Sequence, residues 1–356
     1  MPGGSRPGGM RRCDARGTRP KDALSWFVIE VVTSAASRMR VSCNKHLYPR
    51  QQTCLVLQCT IGRSTTSRVL AFSGRKDAER AHAFFGGSMQ LAEAVLPDEE
   101  PVDWTNAFVN QTITTPSTLQ GSQRNRTLIK GCRFHDISGN GLTLRDVDTV
   151  RVENCVFENI SGTGIHMSIT GGGTKNVTLI GNRIQNCGKN GITGGQRYKE
   201  GVDQKNYRVL NNRIETVGLE PDARPGLLHG IYVQSQDFLI EGNTVLNARD
   251  GNGISVRSSG VVRGNTCDGA AKSGISYYAD HLRGPSDLLL IEQNLIRNVG
   301  RDSGRCGIDL LKIPNGKLVV HTFIIRQNQI EPGPASDCEI TVHPDYERAG
   351  ITVVIE

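Results

Sequence analysis

Aromatic side chains are scarce. Phe, Trp and Tyr together make up 5% of the 356 residues, while glycine alone contributes 41. That shortage argues against a bulky aromatic core and for a chain that turns often. A solenoid tolerates such a composition, because each layer buries a small apolar face against its neighbours. Long apolar runs are missing too. No stretch reaches the ~18 apolar residues of a membrane-spanning helix, so no membrane span is expected. The richest segment, Leu24 to Val32, is interrupted by Glu30. Behind its basic start it reads as a weak secretory signal, which would place the protein outside the cell or at its surface. The same basic, acid-poor leader also suits import into an organelle.

Acidic residues are few only at the start. Residues 1–73 hold 12 Lys and Arg against 3 Asp and Glu, a net of +9; residues 74–356 hold 30 against 32, a net of −2. The overall charge of +7 therefore belongs to the leader, and the body lacks the basic footprint of a nucleic-acid partner. No Cys-x-x-Cys pair exists, and Cys54 and Cys59 have no partners at zinc-finger spacing. Cys132, Cys155 and Cys187 are expected as stacked buried thiols, since free cysteine packs as a small hydrophobe.

Residues 1–73 mix Gly, Pro, Arg and Ser without periodicity and are expected to be a poorly ordered leader or targeting segment. Residues 76–95 read as helical, and 97–124 as a connector rich in Pro, Thr, Ser and Gln. Together, 74–124 would cap the domain at 125–356, covering strand edges that an open end exposes. From residue 125 two features alternate. One is an asparagine within an apolar strand pattern: Asn154, Asn182, Asn212, Asn243, Asn265, Asn294 and Asn328, spaced 22 to 34 residues apart. The other is Gly-Ile or Gly-Leu: Gly141-Leu142, Gly164-Ile165, Gly191-Ile192, Gly230-Ile231, Gly253-Ile254, Gly274-Ile275 and Gly307-Ile308. Alternation points the apolar residues inward. Asn tolerates the left-handed bend that a coil corner needs. Coils stacked about 4.8 Å apart bring these amides into a ladder.

The pattern resembles the right-handed parallel β-helix repeat of the pectate-lyase-like superfamily, over roughly 205 residues. The resemblance implies an all-β solenoid of about seven to nine coils. It also implies that the strand after each Gly-Ile faces a glycan cleft. The family includes polysaccharide lyases, glycoside hydrolases, C5-epimerases and phage tailspikes, so fold does not settle activity.

Outward positions on that strand supply the candidates. Proton removal at C5 of a uronate needs a carboxylate neutraliser, a base and an acid. Arg257 is the expected neutraliser, His229 the base, and Tyr232 or Tyr278 the proton donor. His166, Gln234, Asp309 and Lys312, with Tyr198 and Lys199 from a rim loop, are expected to bind substrate. The expected partner is thus a uronate-containing polysaccharide, met by a monomer that acts as lyase or C5-epimerase. A non-catalytic glycan-binding protein is the alternative, and a glycoside hydrolase the third reading. A hydrolase needs two carboxylates across the bond, and Asp250 and Asp309 are the nearest pair by repeat position. The motifs demand no metal or cofactor. They leave room for Ca2+, although no calcium-binding nonapeptide is present.

Overall fold

The structure is a computed structural model. It describes residues 26–31, 53–61, 64–72, 89–92, 102–168, 173–195, 204–220, 225–279, 288–301, 304–314, 320–331, 333 and 338–356. The chain divides into two compact units, 1–99 and 100–356. In the first, Trp26–Val31, Thr53–Ile61, Ser64–Phe72 and Met89–Ala92 form a four-stranded antiparallel sheet, in the order first, third, second, fourth. The composition suggested an unstructured leader for the first three segments, and periodicity suggested a helix for Met89–Ala92. Strand partners decide the conformation of such short apolar segments more than intrinsic preference does. The remainder of the expected helix at 76–95 lies outside the described residues.

The second unit is a parallel β-helix with three sheets. A front sheet of nine strands runs from Ser117–Gln120 to Ile340–Val342. A back sheet of ten runs from Asn106–Val109 to Thr352–Ile355. A side sheet of nine runs from Thr112–Ile113 to Gln329–Glu331. The solenoid thus begins about twenty residues before 125, inside the expected connector. Its first coil carries Gln111 and Pro116 where later coils carry the ladder residue and the Gly of Gly-Ile.

Inward residues stack in unbroken columns. Leu142, Ile165, Ile192, Ile231, Ile254, Ile275 and Ile308 line the front. Phe134, Phe157, Ile184, Ile214, Val245, Cys267 and Ile296 line the side, where the first two rings stack 4.4 Å apart. All are buried, each contributing roughly 1.5–3 kcal/mol. The Gly of Gly-Ile is required by close approach rather than by a left-handed bend. A Cβ on Gly164 would sit 2.8 Å from the Gly191 carbonyl of the next coil and 2.7 Å from Ile184.

The asparagine ladder exists, with a corrected membership. Each of Asn182, Asn212, Asn243, Asn265 and Asn294 sends its backbone N–H and its Nδ2 to the Oδ1 of the next rung, at 2.9–3.0 Å. Asn328 ends the series. Asn154 is not a rung. It sits one residue earlier with φ 52, in register with Gly131, Gly181 and Gly242, and Cys155 and Cys132 take the rung positions. The left-handed residue is therefore the one before each rung. Cys187 lies elsewhere, in the side-sheet column with Ile160 and Val217.

Cys306 and Cys338 form a disulfide between neighbouring coils, 32 residues apart. The expectation of free buried thiols concerned Cys132, Cys155 and Cys187, which are free and buried; Cys306 and Cys338 meet at matching corners. A loop of this size gives a cross-link worth about 3–4 kcal/mol. Cys306→Ser is expected to lower unfolding free energy by roughly that amount. Urea unfolding with and without reductant measures it, and the variant should be insensitive to the reductant.

Candidate functional site

The outer face of the front sheet carries one row in strict register: Thr143, His166, Thr193, Tyr232, Ser255, Ser276 and Asp309. Alternation turns these side chains away from the core, and each coil steps about 4.8 Å along the axis. His166 and Tyr232 are thus about 10 Å apart with the small Thr193 between them. Gly195 lines the notch as bare backbone, and the room its missing Cβ leaves is taken by the Gln204 amide. The result is a cleft of about 410 Å³, walled by His166 and Tyr232, floored by Thr193 and Gly195, and edged by Asn190, Gln234 and Leu227. That volume lies in the usual range for ligand sites.

The electrostatics of the cleft differ from those of the layers beside it. Burial, reinforced by the nearby Arg145 cation, holds the His166 imidazole below its ordinary pKa of 6.5. It is therefore neutral at neutral pH. Gln234 donates through Nε2 to the Tyr232 hydroxyl. The Arg257 guanidinium lies 4.8 Å from the Tyr232 ring centroid and 5.6 Å from that of Tyr278, a Tyr–Arg–Tyr stack of cation–π contacts. Its Nη1 donates to Ser255 Oγ at 2.7 Å and to the Val256 carbonyl at 3.1 Å. Ser255 Oγ in turn lies 2.9 Å from Ser276 Oγ.

Of the candidates, His166, Tyr232 and Gln234 meet in the cleft. Arg257 and Tyr278 stand behind Tyr232 in the following coils. His229 holds a different position. It is 3% exposed, and its Nδ1 accepts the backbone N–H of Asn252 at 3.0 Å. It occupies a corner ladder in which Asn140 accepts from Thr163, Asn190 from His229, and Asn252 from Ser273. An Nδ1 that accepts places the imidazole proton on Nε2, so the expected base is occupied as a structural acceptor.

Asp309 is 1% exposed, hydrogen-bonded by Ser273 Oγ and 3.8 Å from Arg305; burial raises its pKa. It faces the protein rather than a ligand. Lys312 is exposed and falls out of the row, since Leu311 holds the position in register with Tyr278. Tyr198 and Lys199 lie outside the described residues. Asp250 spends its carboxylate on two backbone N–H groups, those of Gly226 and Leu228. No carboxylate lines the cleft among the described residues. No group of three or more His, Cys, Asp and Glu is placed to hold a metal among them. No helix among them is long and apolar enough to cross a membrane. Thr193 and Asn190 are polar positions flanking Gly191-Ile192 that were not among the candidates, and Leu227 and Gly195 have no chemical signature in a sequence.

The ladder role of His229 has a pH consequence. Burial, then the Arg257 and Lys272 charges, holds its pKa well below 6.5 in the folded state. The unfolded chain therefore binds a proton below pH 6.5 that the folded chain refuses. Stability is complete above that pH and falls as pH drops, by about 1.4 kcal/mol per pH unit. His229→Asn, which restores the rung used by its neighbours, is expected to match the parent near pH 7 and exceed it at about pH 5. Urea midpoints at the two pH values check this.

These sheets and ladders define residues 100–356 as a parallel β-helix built of stacked repeats. The family model for the right-handed β-helix region matches residues 117–283. No curated protein matches the sequence. Solved structures with a similar course include the periplasmic alginate epimerase AlgG, at 14% identity and TM-score 0.39 over 60% of this chain and 46% of that one. The catalytic unit of the GH87 α-1,3-glucanase from Streptomyces thermodiastaticus strain HF3-3 is 13% identical, with TM-score 0.36 over 80% and 72% of the two chains. The Azotobacter vinelandii mannuronan C-5 epimerase AlgE4 A-module is 13% identical, with TM-score 0.27 over 69% and 76%. The chain spans less than half the length of the AlgG structure.

Proposed function

We propose that the protein is a carbohydrate-active enzyme that seats a uronate-containing polysaccharide in the front-sheet cleft and removes the proton at C5. One observation carries this reading: a neutral imidazole, His166, and a phenol, Tyr232, face each other across Thr193 in a cleft lined by no carboxylate among the described residues. His166 replaces His229 as the base. A neutral imidazole is ready to accept a proton at physiological pH. Tyr232, hydrogen-bonded by Gln234, supplies or receives a proton on the opposite side of the sugar. The Arg257 charge behind its ring favours an anionic substrate and the charge that develops as C5 loses its proton. A base and an acid on opposite faces suit C5 epimerisation, in which the proton leaves from one face and another arrives from the other. The lyase alternative uses the same abstraction and ends in loss of the 4-linked sugar. Hydrolysis would need a pair of carboxylates. The Cys306–Cys338 bond favours an oxidising compartment, and we place the protein outside the cell or at its surface.

The test is incubation with polymannuronate, polyguluronate and polygalacturonate, with xylan and α-1,3-glucan as neutral controls. Epimer ratios by proton NMR report epimerisation, and the ultraviolet absorbance of an unsaturated uronate end reports lysis. Change on a uronate polymer and none on the neutral ones is the expected result. Glycan binding without either product would instead make the protein a non-catalytic binder. Release of reducing ends from xylan or glucan would make it a hydrolase.

A further inference from the structure

We propose that Asp250 is the positioning residue of the cleft rim, and that the residue it places, Leu227, is an apolar platform for the C–H face of a pyranose ring. The platform role rests on the reading of the cleft as a saccharide site; the positioning role does not. The rim segment enters the front strand that carries Tyr232. Asp250, from the following coil, grips this segment at two points. One carboxylate oxygen accepts the Gly226 N–H at 2.8 Å and the other the Leu228 N–H at 2.9 Å. These two amides bracket Leu227. Leu228 is 4% exposed, whereas Leu227 is 49% exposed and lines the cleft. Holding the backbone on both sides of Leu227 decides which of the two leucines turns inward and which overhangs the cleft.

An ionised carboxylate has only acceptor sites, and each oxygen of Asp250 takes one backbone N–H of the rim segment. Asp250 does not line the cleft, so its effect on the site passes through Leu227, which does. A half-exposed leucine on the rim offers apolar surface that a ligand's C–H face can cover. A pyranose presents hydroxyls at its edge and C–H bonds on its face. Its edge suits the Thr193 and Gln234 side, and its face suits Leu227 and the Tyr232 ring. Asparagine at position 250 would keep one acceptor and turn an amide N–H toward the second backbone N–H. Alanine would release both.

Hydrogen exchange on the full chain tests the positioning role without any ligand. The Gly226 and Leu228 amides should be protected in the parent and exchange at least about tenfold faster in Asp250→Ala. The Ile231 amide, bonded to the Gly253 carbonyl, should stay protected in both. Fast exchange at Gly226 and Leu228 in the parent, or unchanged protection in the variant, overturns the assignment. Calorimetric titration with oligomannuronate and oligogalacturonate tests the platform. Leu227→Ala and Asp250→Ala should each weaken binding about tenfold, and the double variant should bind no more weakly than either. Additive losses would show that Asp250 does not act through Leu227, and unchanged affinity in Leu227→Ala would remove the platform. If the parent binds neither oligouronate, the saccharide reading fails and takes the platform with it, while hydrogen exchange alone decides the role of Asp250.

Discussion

Asn243→Leu is expected to lower the unfolding free energy by about 4 kcal/mol, near the upper end of single-substitution effects. The side chain is 1% exposed and stands mid-ladder. Its Oδ1 receives both the N–H and the Nδ2 of Asn212, each at 2.9 Å. Its Nδ2 reaches the Val209 carbonyl at 2.7 Å and Asn265 Oδ1 at 2.9 Å. Leucine has the same branched shape but larger, apolar ends, so crowding adds to a loss whose main part is polar. That part comes from donors on Asn212 stranded in a dry interior, at about 1–3 kcal/mol for each unsatisfied group. Asn154→Gly is the control. Asn154 occupies the left-handed corner at which Gly131, Gly181, Gly242 and Gly264 stand in other coils, so its replacement should stay within about 0.5 kcal/mol of the parent. Equal destabilisation of the two variants in urea would contradict the corrected ladder.

His166→Ala is expected to reduce kcat on the uronate substrate by about 10²–10⁴-fold while leaving substrate affinity within a few-fold. Tyr232→Phe should do the same, because it keeps the ring that walls the cleft and removes the hydroxyl. His229→Asn should retain turnover, since that histidine contributes an Nδ1 acceptor that asparagine supplies. The pH dependence follows from the lowered pKa of His166. The base must be unprotonated, so kcat/KM should rise with pH along a limb centred below the ordinary histidine value of 6.5. A rising limb centred above 6.5, or one that survives His166→Ala, would assign the base to another group.

Much of the β-helix was legible because its two signatures have physical causes. Gly-Ile marks a corner where a Cβ has no room, and a buried amide column requires Asn at each rung. The first coil was illegible for the same reason: Gln111 and Pro116 stand where the signatures should be, and only backbone pairing to the next coil reveals it. Matching repeats by asparagine identity misplaced Asn154 by one residue, since Asn suits both the rung and the left-handed corner beside it. In a strand such a slip exchanges inside and outside. Register, once set by Gly-Ile, placed His166, Tyr232 and Asp309 in one row. It did not tell that Asp309 is enclosed, or that His229, at a corner rather than in a strand, points along the axis to the next coil. The cleft depends on the absence of bulk at Thr193 and Gly195 and on how Leu227 is held, and alternation encodes neither. The Cys306–Cys338 bond could have been found, because each residue stands two positions before a front strand in successive coils.

The most direct measurement is uptake of solvent deuterium at C5. The protein and its His166→Ala variant are incubated in D2O with polymannuronate and polygalacturonate, and the polymer is examined by NMR. Proton abstraction at the cleft predicts that the parent either incorporates deuterium at C5 or produces unsaturated uronate ends, and that the variant does neither. Polymers that bind yet keep every C5 proton, or a variant that reacts as fast as the parent, would contradict it.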